Sequence, residues 1–278
     1  KLLCLDDVCK QSSAELIEDR KGSELDMAER ICKMAADQYK MRRGEIKIDI
    51  PVHGYDDVVA GISEKSLLKL LGGNLSPLID LIKNGTIKGV AGILGCSNLA
   101  AGGHDVTTVQ LTKELIKRDI LVLSAGCTTG GLANCGFCSP GAKEMAGPGL
   151  KAVCEKLGIP PVLNFGPCLA IGRIEIVVAE LAKALNVDIP QLPVVISAPQ
   201  WLEEQALADG CFGLALGLTL HLAQPPPILG SPLVTKILTE DLVNLTGGKV
   251  IVEMDPALAA DKLQNEINKK LAALGIGV

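Results

Sequence analysis

Three of the ten cysteines in this 278-residue sequence share one setting. "GVAGILGCSNLAAGG", residues 89–103, is an apolar, strand-like run that ends in Gly95-Cys96. The pattern returns in "DILVLSAGCTTGG" with Gly126-Cys127, and again in "PPVLNFGPC" with Gly166, Pro167 and Cys168. Thiolate sulfur is the natural ligand of iron–sulfur clusters, and a cubane usually takes four ligands. Three converging cysteines therefore suggest a cluster site with one ligand supplied from elsewhere. The alternative is that they are small buried residues at strand ends, since free cysteine is commonly buried. Zinc fits less well, because its closely spaced cysteine pairs are missing apart from Cys135 and Cys138.

Other residues offer chemistry on weaker grounds. "NCGFC" makes Cys135 and Cys138 a C-x-x-C, which near a helix start serves as a redox dithiol or half a metal site. It begins eight residues after Cys127, so it is expected near the proposed cluster. His104 follows Gly102-Gly103 in the loop after Cys96 and either faces the site or lies on the loop surface. His53 and His221 read as structural. With only three histidines, no Ser/His/Asp arrangement can be argued. There is no G-x-G-x-x-G and no G-x-x-x-x-G-K-[ST], which lowers a nucleotide role.

The cysteines need elements to bring them together, because they lie 31 and 41 residues apart. From about residue 86, short apolar runs alternate with amphipathic stretches. "TIKGVAGILG", "ILVLSAG", "PPVLNFG", "LPVVISAP" and "GKVIVEM" read as strands, and "GLALGLTLHLA" as one or two more. "VTTVQLTKELIKRD" reads as a helix with Asp105 at its N-cap, and "PGLKAVCEKLG" as one closed by Gly158. "IEIVVAELAKALN", "QWLEEQALADG", "PLVTKILTEDLVNL" and "PALAADKLQNEINKKLAAL" complete the helices, the last with Pro256 in its first turn. This is an α/β series. It predicts a Rossmann-like, doubly wound, mostly parallel sheet with helices on both faces, and its continuous apolar strands agree. In such a sheet ligands bind at the carboxyl ends of the strands, where all three cysteines sit. Gly95 and Gly126 allow a sharp turn or a close backbone approach there, and the following helix N-termini offer free N–H groups to an anionic cluster.

The first part differs. "KLLCL" reads as a strand and residues 23–41 as a long helix, followed by a linker "RRGEIKIDIPVHGY". The expected division is 1–45, the tail of a truncated domain, and 46–278, the domain carrying the cysteines. A chain that begins at Lys1 with an interior strand reads as a cut piece.

Composition limits the rest. The chain is 48% apolar, 21% charged and 2% aromatic, with net charge −5. A nucleic-acid partner needs a basic surface and stacking aromatics, and neither is present. The basic cluster from Lys40 to Arg43 reads as a solvated helix end. No apolar run reaches the roughly 20 residues of a membrane helix, and the start lacks a secretory pattern. So apolar a chain needs no disulfide staples, so its cysteines fit a cytoplasmic protein that uses them for metal, redox or burial.

The chain resembles the C-terminal part of the catalytic subunit of anaerobic nickel–iron carbon monoxide dehydrogenases. The resemblance rests on "GVAGILGCSN", "TKELIKRDILVLSAGC", "GLKAVCEKLGIPPVLNFGPC", "LPVVISAP", "PPPILGSPLVTKILTEDL" and "GGKVIVEMDPALAADKL", in family order from about residue 58 to the end. The first 45 residues look like the last strand and helix of the family's Rossmann-like middle domain. The resemblance implies that Cys96, Cys127 and Cys168 hold the NiFe₃S₄ cubane called the C-cluster. It also implies CO, CO₂ and water as reactants, a ferredoxin-like electron acceptor, N-terminal and middle domains that carry the remaining ligands, and a homodimer. A lysine of the family, on the helix after the "SAP" strand end, has Gln205 in its place here. Glutamine forms hydrogen bonds but is no general acid. Three readings follow: a dehydrogenase portion that is inactive alone, an altered relative that binds a 4Fe-4S cluster for sensing or assembly, and, more weakly, a C-x-x-C dithiol oxidoreductase.

Overall fold

The computed structural model describes residues 3–5, 15–17, 24–45 and 61–277. Residues 1–54 and 55–278 form two units, taken here one at a time. In the first unit, strand β1 (Leu3–Leu5) pairs in parallel with β2 (Glu15–Ile17), and α1 covers Glu24–Glu45. The sequence reading expected one strand here; the parallel pair is a second one it missed, because three residues are too few to show a period. Arg42 and Arg43 end α1 exposed, the solvated helix end expected. Cys9, His53 and residues 46–60 lie outside the described residues, and with them all of the expected linker except its first four residues, 42–45, which form the last turn of α1.

The second unit runs α2 (Glu64–Leu70), α3 (Ser76–Lys83), β3 (Gly89–Gly95), α4 (Val106–Lys117), β4 (Ile120–Gly126), α5 (Cys127–Asn134), α6 (Pro148–Leu157), β5 (Val162–Gly166) and α7 (Ile171–Leu185). It continues with β6 (Val194–Ser197), α8 (Glu204–Ala215), β7 (Thr219–Leu222), α9 (Pro232–Lys236), a π-helical turn at Ile237–Asp241, α10 (Leu242–Leu245), β8 (Lys249–Val252) and α11 (Pro256–Ala273). The six strands form one all-parallel sheet in the order β5-β4-β3-β6-β7-β8. The chain winds outward from β3 to β5, then returns to the other side of β3 and winds away to β8. That reversal makes β3 and β6 the switch point of a doubly wound sheet.

Both faces of the sheet are covered. α4 and α11 pack together on one face, and Ile267 of α11 presses on Gly89. α8 lies on the other face, where Ile196 fits against Gly213. β3 is therefore buried along its whole length. Leu263, Ile267 and Leu271 of α11 recur every four residues and are buried; each contributes roughly 1.5–3 kcal/mol relative to exposure. Asp255 caps that helix, accepting from the N–H groups of Ala257 and Leu258, with Pro256 in the first turn as expected. Gly158 closes α6 in the left-handed region, also as expected.

Two boundaries differ from the reading. α8 starts at Glu204 and runs on through Gly210 and Cys211 to Ala215, so the first residues of "GLALGLTLHLA" are helical and it holds one strand. The glycines persist inside the helix because Leu220 and Ile196 of the sheet lie against them, leaving no room for side chains. Buried His221 straps the strand ends. Its Nδ1 lies 2.7 Å from Ser197 Oγ and its Nε2 2.9 Å from the Glu253 carbonyl. The carbonyl only accepts, so Nε2 carries the proton and Nδ1 accepts from the serine. The structural reading of His221 is thus satisfied at both nitrogens.

Candidate metal centre

Cys96, Cys127 and Cys168 directly follow or lie just beyond the carboxyl ends of β3, β4 and β5, three neighbours in the sheet. Gly95 is paired with Gly126, and Ala125 with Gly166 across a register shift. Adjacent parallel strands lie about 4.8 Å apart, so the three turns leave the sheet side by side. Each turn uses the same backbone device: Gly95, Gly126 and Gly166 have φ of 95°, 94° and 111°. Side chains rarely adopt such angles. Gly126 is also crowded, since a Cβ there would stand 2.6 Å from the Gly95 carbonyl oxygen and 3.0 Å from Cys168 Sγ.

The cysteines then enter different local structures. Cys127 is the first residue of α5, and Cys168 opens a 3₁₀ turn that runs into α7. Both sit where N–H groups have no partner within the helix. Cys96 is buried at the start of the loop to α4, Cys127 is exposed and Cys168 lies between. Burial pushes the Cys168 thiol up, and Cys127 and Cys96 push it the same way; the backbone N–H of Cys127 acts against them. The sulfur of Cys168 thus lies within the electrostatic reach of the other two.

Among the described residues no three His, Cys, Asp or Glu side chains are close enough to hold one metal ion. Tetrahedral thiolates about 2.3 Å from a single ion stand only about 3.8 Å apart. A cluster takes its cysteines on separate irons. The donor set, three thiols on neighbouring strand ends, has the ligand chemistry of an iron–sulfur cluster.

The remaining candidates behave differently. Cys135 caps the carboxyl end of α5 and is exposed, whereas Cys138 is 1% exposed in the core. Burial pushes the Cys138 thiol up to about 11. A pair activated at a helix start would have a lowered pKa; this pair stands at the opposite helix end. His104 is 65% exposed, with Nδ1 2.8 Å from Asp105 Oδ2. Asp105 occupies the N-cap position of α4 as expected, but with φ 63° and no capping bond from its side chain. Its own N–H donates to Ser97 Oγ, and its carboxylate turns onto Gly131 of α5, where a Cβ would collide with it. Gln205 is exposed near the start of α8, its Nε2 3.5 Å from Asp209 Oδ1. Asp209 lines an apolar cleft with Leu94, Ile171 and Ile196, and its Oδ2 is buried with no partner. Burial raises its pKa, against the Gln205 hydrogen bond. Asp209, Asn98 and Gln200 escaped the sequence reading because a single polar residue in an apolar stretch carries no spacing to read.

The model of the family described as the Prismane/CO dehydrogenase family matches residues 1–257. The chain is 51% identical over 279 residues to a protein of Methanocaldococcus jannaschii named carbon monoxide dehydrogenase, a match covering 99% of this chain and 44% of that one. It is similar to the nickel-free, as-isolated carbon monoxide dehydrogenase structure from Thermococcus sp. AM4, with TM-score 0.88, 42% identity and coverage of 95% of this chain and 42% of that one. A structure of acetyl-CoA synthase/carbon monoxide dehydrogenase α subunits, described with NiZn[Fe4S4] and NiNi[Fe4S4] clusters, matches with TM-score 0.86 at 32% identity over 95% of this chain and 41% of that one. The chain thus spans less than half the length of these relatives.

Proposed function

The chain belongs to the Prismane/CO dehydrogenase family, and from that premise we propose that it is the cluster-bearing C-terminal portion of a carbon monoxide dehydrogenase catalytic subunit. Cys96, Cys127 and Cys168 hold three corners of a Ni-Fe-S active-site cluster of the C-cluster type. The observation that carries this reading is a glycine with φ near +100° at the end of each of three adjacent strands, with a cysteine directly after it in two cases and after Pro167 in the third. Residues 1–45 are read as the tail of the middle domain and 46–278 as the C-terminal domain.

When bound, the cluster supplies a Lewis-acidic carbon-binding metal and a metal-activated water for CO + H₂O to CO₂, two protons and two electrons. The chain's residues do the rest. The glycine turns place the cysteines, and the backbone N–H of Cys127 lies within hydrogen-bonding reach of the Cys168 sulfur, which favours its anionic form. Burial of Cys96 keeps water from its side of the site. Gln205 provides a hydrogen-bond donor on α8 in place of the family's lysine, with Asp209 one turn further along. Electrons leave for a ferredoxin-like acceptor through the rest of a homodimeric enzyme.

By the resemblance the remaining cluster ligands belong to the middle domain, so the 278 residues by themselves do not oxidise CO; turnover by this chain alone would refute that. The test of the metal reading is the iron, sulfide and nickel content after anaerobic reconstitution, beside a C96S/C127S/C168S variant. Loss of about four irons per chain in the variant, the cubane stoichiometry, is the expected result. Equal, low metal in both proteins would leave the cysteines as buried strand-end residues. The substitution at Gln205 favours a second reading, a non-catalytic cluster-binding relative, which predicts full cluster occupancy and no CO oxidation in the complete protein.

A further inference from the structure

At the switch point of the sheet the chain after β3 leads to α4 on one face and the chain after β6 to α8 on the other, and one side chain from the second segment, Gln200, bonds to the first. It is fully buried, and every hydrogen-bonding position it has is used. Its Nε2 donates to the carbonyls of Asn98, at 2.8 Å, and Gly103, at 2.6 Å. Its Oε1 accepts from the backbone N–H and the hydroxyl of Thr108, at 3.3 and 3.1 Å. Two donors and two acceptors are all a glutamine side chain offers.

Two of these bonds go to the ten-residue connection from Cys96 to α4 and two to the first turn of α4 that it leads into. Thr108 is the third residue of α4, so its N–H is one of those the helix leaves open. Asp105 turns its carboxylate away onto α5, and Gln200, 92 residues on, supplies the cap instead. The carbonyls of Asn98 and Gly103 bracket the small turn Leu99–Ala101 that follows Cys96. Neighbouring bonds hold the plug in place. Asn98 Nδ2 donates to the Trp201 carbonyl, Trp201 Nε1 donates to the Gln224 carbonyl, and Gln224 Nε2 returns a bond to Trp201. The end of β7 is thereby tied to the Cys96 loop through the segment that carries Gln200.

We propose that Gln200 is a positioning residue, which sets the place and the protection of the Cys96 thiol. This rests on the metal reading for its purpose but not for its test. Cys96 has no helix of its own to hold it, unlike Cys127 and Cys168, so its loop needs an external brace. Removing that brace frees one corner of the ligand set while the other two stay.

The experiment uses the 278-residue chain with Q200L and Q200E. Q200L removes all four bonds; Q200E keeps the cap on Thr108 but sets a carboxylate against two carbonyls. Labelling of Cys96 by a thiol reagent is expected to accelerate at least tenfold in Q200L, with hydrogen exchange of residues 97–103 rising alike and with labelling of core Cys154 unchanged. Q200E is expected to approach wild type as pH falls and its carboxyl regains a proton to donate. After reconstitution the cluster spectrum of Q200L should differ from wild type at equal protein folding. Equal acceleration at Cys96 and Cys154 would mean that Gln200 only stabilises the fold, and would overturn the proposal. If Q200L does not fold, Q200E carries the same comparison. Should the wild-type chain take up no more iron than the triple-serine variant, the metal reading fails, and the Cys96 labelling decides alone whether Gln200 positions this thiol.

Discussion

Replacing Gly126 by alanine tests the geometry of the site without any metal. Gly126 has φ 94° and ψ −164°, a region open almost only to glycine. Holding alanine there costs of order 1–3 kcal/mol. Its Cβ would also stand 2.6 Å from the Gly95 carbonyl oxygen, a backbone atom in the paired strand that cannot rotate away. Relieving such overpacking typically costs a further ~1–3 kcal/mol. Taken at ~4 kcal/mol in total, and with about 2–4 °C per kcal/mol for a domain of this size, the thermal midpoint falls by roughly 8–16 °C. Gly158 is the control: it also has a left-handed φ, 66°, but nothing lies within 4 Å of its missing Cβ. G158A should cost only ~1–2 kcal/mol. The assay is thermal unfolding of both variants, with thiol labelling of Cys168, whose sulfur would stand 3.0 Å from the new methyl group. G126A is expected to melt well below G158A and to label faster at Cys168. Midpoints within ~2 °C of each other, with unchanged labelling, would refute the claim that the strand ends are packed this closely.

Other outcomes follow from buried polar groups. His221 is held neutral by burial, with its pKa lowered below 6.5. The unfolded chain therefore gains the proton first, and stability that is complete above pH 6.5 is lost as pH falls below it; the urea midpoint should decline from pH 6.5 to 5 in wild type, and much less in H221Q. Burial lowers the pKa of Lys270 to about 8, with its Nζ 3.2 Å from the Val194 carbonyl. Between pH 8 and about 10.5 the unfolded chain holds the extra proton, so stability should rise with pH across that window. K270M should remove the rise and raise the midpoint at pH 7; a flat wild-type profile would count against a desolvated ammonium. Burial raises the pKa of Asp209 above the ordinary carboxyl value, so the folded chain holds this proton longer than the unfolded chain, and stability falls as pH rises above that value. D209N should melt higher than wild type at pH 7 and equally at pH 3, and a lower melting point at pH 7 would mean that the carboxylate has a stabilising partner.

How much of this was legible depended on the range of the interactions. The period of apolar runs and helical stretches marked all six strands of the main sheet, because burial of both sheet faces forces continuous apolar sequence in each strand. A cysteine after each of three apolar strand runs marked the candidate site, with Gly95 and Gly126 signalling the turn directly before two of them, because a turn with positive φ favours glycine wherever it occurs. Gly158 at the end of α6 was legible for the same local reason, and Pro256 in the first turn of α11 because its fixed φ suits a helix start. The C-x-x-C was visible as a motif, yet its two sulfurs face different surroundings, one solvent and one core.

Sequence alone therefore determined the α/β class, the parallel strands and the placement of Cys96, Cys127 and Cys168 at their carboxyl ends, all consequences of residues close in the chain. Tertiary structure alone decided that β6 returns beside β3, that Gln200 rather than Asp105 caps α4, and that Asp209 turns an oxygen into an apolar cleft. Each of these joins residues about ninety or more positions apart or depends on what lies opposite in the folded core. Such pairings are set by the global packing of the sheet, and a polar residue gives no local sign of the partner it will meet there.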